Sequence, residues 1–419
     1  MSRIDALIAK LCPEGVEFRP IGDFGELVRG NGMPKSDFVE AGVGCIHYGQ
    51  IYTFYGIWAT ETKSFVPPEK AARLAKVDPG DLIITNTSEN IDDVCKGVAW
   101  LGDTQIVTGG HATVLKHDQD AKYLSYYLQT PQFFADKKRH ATGTKVIDVS
   151  AKSLAKIKIP VPPLEIQKEI VVILDNFTKL EAELEAELEA RRRQYQHYRD
   201  ALLTFDERTD KQASKQASKQ ATRIMALGEL GNFIRGRRFT KNDVVKGGIP
   251  SIHYGEIYTH YGVAASSAIS HVRADMAKQL RFAQPRDVVI AAVGETVEDV
   301  GKAVAWLGNE DVAVHDDCFV FRHSMNPKFV SYYFQTEAFH AQKNKYVARA
   351  KVKRLSGESL AKIMIPVPSL EEQERVVSIL DKFDALVNDL SSGLPAEIKA
   401  RRQQYEHYRD RLLTFQEAA

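Results

Sequence analysis

The sequence predicts an α+β protein: two similar mixed α/β modules separated by a pair of long antiparallel coiled-coil helices, with a pseudo-two-fold internal repeat. Three observations lead there. The first is duplication. Ile46-His-Tyr-Gly-Gln-Ile-Tyr-Thr-Phe-Tyr-Gly56 returns as Ile252-His-Tyr-Gly-Glu-Ile-Tyr-Thr-His-Tyr-Gly262, Val98-Ala-Trp-Leu-Gly102 as Val304-Ala-Trp-Leu-Gly308, and Ser153-Leu-Ala-Lys-Ile157 as Ser359-Leu-Ala-Lys-Ile363, each 206 positions later. Gly22 to Asp175 aligns with Gly228 to Asp381 without a gap at roughly two-fifths identity, a long duplication and not a solenoid array. The second is that short apolar runs bounded by Pro and Gly fill each copy. The third is that each copy gives way to a proline-free stretch with heptad spacing.

Composition sets the outer limits. A chain of 419 residues, 44% hydrophobic, can bury two ordinary cores plus something elongated. Its four cysteines (Cys12, Cys45, Cys95, Cys318) form no CxxC pair, so neither a disulfide framework nor a zinc knuckle is indicated, and a reducing cytosol fits. Met1 to Lys10 holds no apolar run suited to a signal peptide or membrane span; a soluble, cytoplasmic protein is expected. Net charge is +1, unevenly distributed: residues 1–160 carry 19 Lys and Arg against 19 Asp and Glu, residues 209–366 carry 23 against 15. A protein gripping phosphate alone would be more basic. Either nucleic acid is not the ligand, or partner subunits supply much of the grip.

The elements follow in order. Residues 1–160 form the first module. Asp81-Leu-Ile-Ile84, after the Pro79-Gly80 turn, reads as a strand, and Lys122-Tyr-Leu-Ser-Tyr-Tyr-Leu-Gln129 as a short helix with an aromatic packing face. Ile157-Lys-Ile-Pro-Val-Pro-Pro163 forbids helix and marks an extended exit. Residues 161–208 are the central helical region. From Leu164 to Phe205 there is neither proline nor glycine, and Leu184, Leu188, Tyr195, Tyr198, Leu202 and Phe205 fall on a heptad seam, with Arg191 filling one slot. Residues 209–366 form the second module, of which 209–222, with its Lys-Gln-Ala-Ser repeats, is a linker. Asp287-Val-Val-Ile290 and Lys328-Phe-Val-Ser-Tyr-Tyr-Phe-Gln335 are its matching strand and helix. Residues 367–419 repeat the helical region, with seam residues Leu394, Ile398, Tyr405, Tyr408, Leu412 and Phe415. Neither seam can stay in water, so the two are expected to pack on each other. The first helix contains the tetrapeptide repeat Leu180-Glu-Ala-Glu-Leu-Glu-Ala-Glu-Leu-Glu-Ala190; the second has Ser391-Ser-Gly-Leu-Pro395, which reads as a break and restart. One four-residue unit adds about 6 Å of helix. The repeat is either a ruler or a solvated helical filler.

With these residues in hand, the chain resembles the specificity subunit of type I restriction–modification systems. The resemblance rests on two modules, each followed by an Ile-Pro-Val-Pro, Glu-x-Gln, Ile-Leu-Asp-x-Phe segment and an Arg-Arg-x-Gln-Tyr-x-x-Tyr-Arg-Asp helix. Here these are Ile159–Pro162, Glu165, Gln167, Ile173–Phe177 and Arg192–Asp200, then Ile365–Pro368, Glu371 or Glu372 before Gln373, Ile379–Phe383 and Arg401–Asp410. The resemblance implies that the modules are target recognition domains, each reading one half of a bipartite double-stranded DNA target. It implies that the helices act as spacer and dock two modification (methyltransferase) subunits that carry S-adenosylmethionine, joined by restriction subunits that translocate with ATP and cut. It implies no cofactor, metal or catalytic residue on this chain. Two other readings stay open: the specificity subunit of a type IIB-like bipartite cutter, and a coiled-coil scaffold that binds protein.

The chain's own chemistry agrees with recognition. An Asn/Asp-Pro-Pro-aromatic methylation motif, a Gly-rich cofactor loop and a phosphate-cradling Gly-x-x-x-x-Gly-Lys-Ser/Thr are all missing. Glu89, Asp92, Asp93 and Lys96 could be drawn as a nuclease-like cluster, but read better as a solvated turn. His315-Asp-Asp-Cys318 could be drawn as a metal site, but its counterpart Gly109-Gly-His-Ala112 offers no matching ligands. Candidate base contacts are His47, Tyr48, Gln50, Asn86 and Thr87, with His253, Tyr254 and Glu256 in the second copy. Gln pairs bidentately with adenine and Glu accepts from cytosine N4, although His-Tyr-Gly could equally pack a strand and turn. Candidate phosphate contacts are Lys137, Lys138, Arg139 and Lys145, then Arg235, Arg237, Arg238, Lys343, Lys345, Arg349, Lys351, Lys353 and Arg354.

Overall fold

Alternate residues of the central apolar runs face opposite ways, and that sorts each module into layers. The computed structural model describes residues 3–205, 222–348, 352–389 and 391–418. In the first module a five-stranded sheet runs in the order Gly25–Arg29, Ala112–His117, Leu82–Thr85, Gly97–Trp100, Trp58–Ala59. Its pairs are antiparallel except the last, which is parallel. A four-stranded sheet runs Ser64–Val66, Val43–Ile46, Ile106–Thr108, Ala75–Val77. Leu82, Ile84 and Ala99 join a core with the tyrosines of the helix Ala121–Tyr127, while Ile83, Val98 and Trp100 join another with Ile46, Val77 and Ile106 of the four-stranded sheet. Burial on both faces is why the strand reads as an unbroken apolar run.

The second module repeats this. Its first sheet runs Gly231–Arg235, Cys318–His323, Val288–Ala291, Ala303–Trp306, Ala264–Ala265, and its second Val244–Val245, Ser270–Val272, Ile249–Ile252, Val312–Val314, Phe282–Ala283.

The motifs that recur at fixed offset are framework. Trp100 Nε1 donates to Thr104 O at 2.8 Å and Trp306 Nε1 to Glu310 O at 2.7 Å. A Cβ on Gly102 would lie 2.3 Å from the Trp100 ring, so the Trp-Leu-Gly turn closes only with glycine. Ser125 Oγ lies 2.9 Å from both Ile57 O and Gly97 O, and Ser331 Oγ repeats the bridge to Val263 O and Ala303 O. Gln167 accepts from Asp120 N and donates to Pro162 O; Gln373 does the same with Asn326 N and Pro368 O. The helix start is thereby tied to the module before it. Asp175 accepts from Tyr126 Oη and Lys122 Nζ, and Asp381 from Tyr332 Oη and Lys328 Nζ. The Glu-x-Gln and Ile-Leu-Asp motifs are thus latches between helix and module.

The central helix Leu164–Leu203 is unbroken over 40 residues, about 60 Å of rise. The other helical region is two helices, Leu370–Asn388 and Leu394–Leu412, so the break expected at Ser391–Pro395 is present. Asp389 receives Ser391 and Ser392 there, and these hydrogen bonds hold its carboxyl down at about 2. A Cβ on Gly393 would meet Ala385 O at 2.4 Å.

The chain divides into two compact units, residues 1–184 with 398–419, and residues 185–397. In the first, Phe177 stacks on Tyr408 with ring centroids 5.4 Å apart, Glu181 pairs with Arg402, and Leu413 is buried beside Ile166, Ile170 and Leu174. Numbers rising along one helix meet numbers falling along the other, so the pair is antiparallel. Val16 N donates to Gln416 O at 2.9 Å and Ala418 N to Val16 O at 3.0 Å, tying the last residues to the first module. In the second unit, Tyr195 Oη reaches Asp384 at 3.3 Å, Tyr198 stacks on Phe383 at 5.5 Å, and Leu203 is buried with Val376, Val377 and Leu380.

The expected antiparallel pairing is seen within each unit: Tyr195, Tyr198, Leu202 and Phe205 pack on the early part of the second helical region and on the second module, and Tyr405, Tyr408, Leu412 and Phe415 on the early part of the first helical region and on the first module. Ile398 is buried, and Leu184, Leu188 and Leu394 are half-buried. The linker assigned to 209–222 lies almost entirely outside the described residues. Among the described residues no helix is long and apolar enough to cross a membrane.

Candidate nucleic-acid interface

The His-Tyr-Gly segments open a six-residue helix, Tyr48–Thr53 in the first module and Tyr254–Thr259 in the second. His47 and His253 are its N-caps, accepting at Nδ1 from Gly49 N (3.1 Å) and Gly255 N (3.2 Å). Burial, with Lys35 and His111 nearby, lowers the His47 pKa; burial and His315 lower that of His253. A neutral ring with its lone pair at Nδ1 is what a cap requires. Gln50 and Glu256 close the capping box, accepting from His47 N (3.1 Å) and His253 N (2.8 Å). Their remaining polar atoms meet Ser64 Oγ and Ser270 Oγ, where the serine accepts from the amide and donates to the carboxylate. The exchange of Gln for Glu between the copies therefore preserves one cap. Gln50 and Glu256 are withdrawn as base readers, because both polar atoms of each are engaged in holding this helix, while His47 and His253 are committed to it through Nδ1.

Asn86 is likewise withdrawn. It is buried, donates to Val149 O at 2.8 Å and accepts from Thr113 Oγ1 at 2.8 Å. Tyr52 Oη donates to Thr87 O at 2.7 Å, and Tyr258 Oη to Val293 O. Burial pushes the Tyr52 phenol up to about 12 and that of Tyr258 upward too. Tyr48 and Tyr254 remain half-exposed on the helix, and their hydroxyls meet no partner among the described residues. Thr87 is buried as well, its hydroxyl 2.9 Å from Nδ1 of the exposed His111.

The basic candidates separate sharply. Lys137 and Lys343 are internal, and the phosphate role assigned to them is corrected. Lys137 Nζ donates to Asp92 O (2.9 Å) and Val94 O (2.7 Å), Lys343 Nζ to Glu298 O (3.0 Å) and Val300 O (2.5 Å). Burial lowers both pKa values, that of Lys343 to about 8. Lys138, Lys145, Arg237, Arg238 and Lys345 are exposed. Arg139 is exposed but pairs with Asp136 at 2.8 Å; Arg235 gives its Nε to Asp316 O at 2.8 Å; Arg354 lies 3.6 Å from Asp317; Lys353 is half-buried. Arg349 and Lys351 fall outside the described residues.

The nuclease-like cluster is a closed turn. Asp93 binds Lys96 at 2.5 Å and Asn90 at 2.8 Å, and Asp299 binds Lys302 and Thr296 in the same way. His315, Asp316 and Asp317 bring potential ligand atoms within 4.8 Å of one another. Both ring nitrogens of His315 are engaged by backbone, Nε2 with Phe239 O at 3.1 Å and Nδ1 with Asp317 N at 3.2 Å, while Cys318 lies buried in its strand. His315 is thereby committed to the backbone of its own loop.

What sequence reasoning passed over is His111 and its counterpart Asp317. Both lie in the loop weighed only as a metal site. The signal was present in the alignment: unlike side chains at equivalent positions beside identical tyrosines.

Two mixed α/β modules with matching frames, uncommitted polar groups and exposed lysines and arginines, each latched to a long helix, define a recognition protein. The family model for the type I restriction modification DNA specificity domain matches residues 13–190 and again 222–400. The chain belongs to this family, as a specificity subunit with two recognition domains. It is 32% identical over 312 residues to the type I restriction enzyme EcoR124I/EcoR124II specificity subunit of Escherichia coli, spanning 70% of each chain. It is 30% identical over 341 residues to a type I restriction enzyme specificity subunit of Haemophilus influenzae, spanning 76% of this chain and 77% of that one. A solved structure from work on complex assembly and conformational transition of the type I restriction–modification system shares the fold, with a TM-score of 0.64 at 16% identity over 95% of this chain and 97% of that one.

Proposed function

We propose that each module reads one half of a bipartite DNA target, that the helical regions set the spacing of the halves and dock two methyltransferase subunits, and that this chain selects DNA without catalysing a reaction. The methyltransferase subunits carry S-adenosylmethionine, and restriction subunits complete the cutting enzyme. The observation that carries this reading is the duplication: one frame is built twice, and shared residues hold that frame while other side chains on it differ. Two related readers in one chain match a target with two related halves. The modest net charge of +1 fits a reader whose partners share the phosphate grip.

Selection from a random duplex library by the chain assembled with its methyltransferase subunits tests this. The expected result is two short conserved blocks separated by a gap of fixed length. One uninterrupted block, or no enrichment, would contradict it. Labelled methyl transfer by the chain alone would contradict the non-catalytic part.

A further inference from the structure

Each module presents a floor common to both copies. In the first, Tyr48 and Tyr52 lie with ring centroids 6.3 Å apart, and Lys96 Nζ sits 5.7 Å from the Tyr52 ring. In the second, Tyr254 and Tyr258 lie 6.0 Å apart, and Lys302 Nζ sits 5.3 Å from the Tyr258 ring. Beside each floor three backbone segments run side by side, joined by the same hydrogen bonds. Asn86 N donates to His111 O and Val149 N to Asn86 O; Ala292 N donates to Asp317 O and Leu355 N to Ala292 O. Thr87 pairs with Asp148, and Val293 with Arg354. The backbone at positions 87, 111 and 148 is therefore the same as at 293, 317 and 354.

The side chains on that backbone are not. The first module has Thr87, His111 and Asp148; the second has Val293, Asp317 and Arg354. The changes are correlated. Thr87 Oγ1 holds His111 Nδ1 at 2.9 Å, whereas Val293 has no hydroxyl and Asp317 turns instead to Arg354 at 3.6 Å. His111 and Arg354 are exposed, and Asp148 and Asp317 half-exposed.

We propose that these three positions set which bases each module selects. The inference rests on the half-site reading above and says which residues perform it. With its Nδ1 held by Thr87, His111 presents Nε2, which in the tautomer that accepts at Nδ1 is a single donor suited to a purine N7 or O6. Asp148 presents acceptors suited to the amino groups of cytosine or adenine. Arg354, steadied by Asp317, presents the forked donor that matches guanine O6 and N7, while Val293, itself buried, differs from Thr87 by offering its neighbours no hydroxyl. Both sets stand beside identical tyrosines and lysines, so the floor supports docking in both modules while the triplet discriminates.

The test is motif determination by methylation sequencing in a host carrying the whole system, with wild-type chain, with the triple exchange Thr87→Val, His111→Asp, Asp148→Arg, and with the single changes Arg354→Ala and His111→Ala. The triple exchange should alter only the half-site read by the first module, moving it toward that of the second, with preference for the original base falling roughly 5- to 150-fold. Arg354→Ala should relax one guanine position in the other half-site. A wild-type motif from both the triple exchange and Arg354→Ala would overturn the proposal. If the triple exchange abolishes methylation by misfolding, the single changes decide, because both side chains are exposed: relaxed positions support the assignment and two unaltered motifs refute it. A wild-type motif without two halves would instead overturn the half-site reading itself, and this inference with it.

Discussion

Arg286 holds φ at +78°, where its counterpart in the first module is Gly80 at +94°; conversely Cys95 holds +63° where the second module has Gly301 at +88°. Each copy keeps glycine at one of two left-handed positions and strains a side chain at the other. Arg286→Gly should therefore stabilise the second module by about 1 kcal/mol, a rise of a few degrees in Tm by thermal unfolding. The capping box gives a second expectation. Gln50→Glu should leave stability and sequence preference unchanged, since Glu256 already fills this role, while Gln50→Ala should cost about 1 kcal/mol by denaturant unfolding. Lys343 gives a third. Its ammonium is desolvated and gives up its proton near pH 8 when folded, against about 10.4 when unfolded. Between those values the unfolded state binds more protons, so this group's contribution to stability rises with pH above 8, and below 8 its penalty is fully present. The stability of Lys343→Met relative to wild type should accordingly fall between pH 8 and pH 10. At this scale the sequence was least legible. A lysine buried under backbone carbonyls looks the same in a string of letters as one facing phosphate, and His-Tyr-Gly-Gln offers base-complementary groups that the helix cap itself engages.

The helices show what periodicity can and cannot tell. The heptads at Tyr195, Tyr198 and Leu202, and at Tyr405, Tyr408 and Leu412, pointed to partly covered faces, although the buried leucines are the neighbouring Leu203 and Leu413, and Ser391–Pro395 identified the break. Partner choice was not legible, because a heptad marks a face to be covered and says nothing of what covers it. The covering turns out to be Phe177 for Tyr408 and Phe383 for Tyr198. Residues 398–419 are consequently part of the first compact unit. Truncation after 397 should uncover Ile166, Ile170 and Leu174, lowering the stability of that unit by several kcal/mol while the second unit unfolds as before. Limited proteolysis, with early cuts confined to the first module, would check this. The latches were legible as motifs but not as latches: Gln167 and Asp175 stood out by recurrence, and only their partners Asp120 N and Tyr126 show why.

At the scale of the whole molecule, the ungapped offset carried the most information. It fixed two modules, their shared topology and their alternation with helices, because a duplicated frame repeats its buried residues more faithfully than its exposed ones. The same bias hid the readers, since repetition draws attention to Trp100 and Tyr52 while recognition is assigned to positions where the copies part. In the proposed function the central helix sets the spacing of the two half-sites. Inserting one Leu-Glu-Ala-Glu unit within residues 180–189 adds about 6 Å and turns the following residues by only about 40°. Duplex rises about 3.4 Å per base pair. Methylation sequencing of a host carrying the system with this insertion should show both half-sites unchanged and the gap between them longer by one or two base pairs. An unchanged gap, or altered half-sites at the original spacing, would contradict the account.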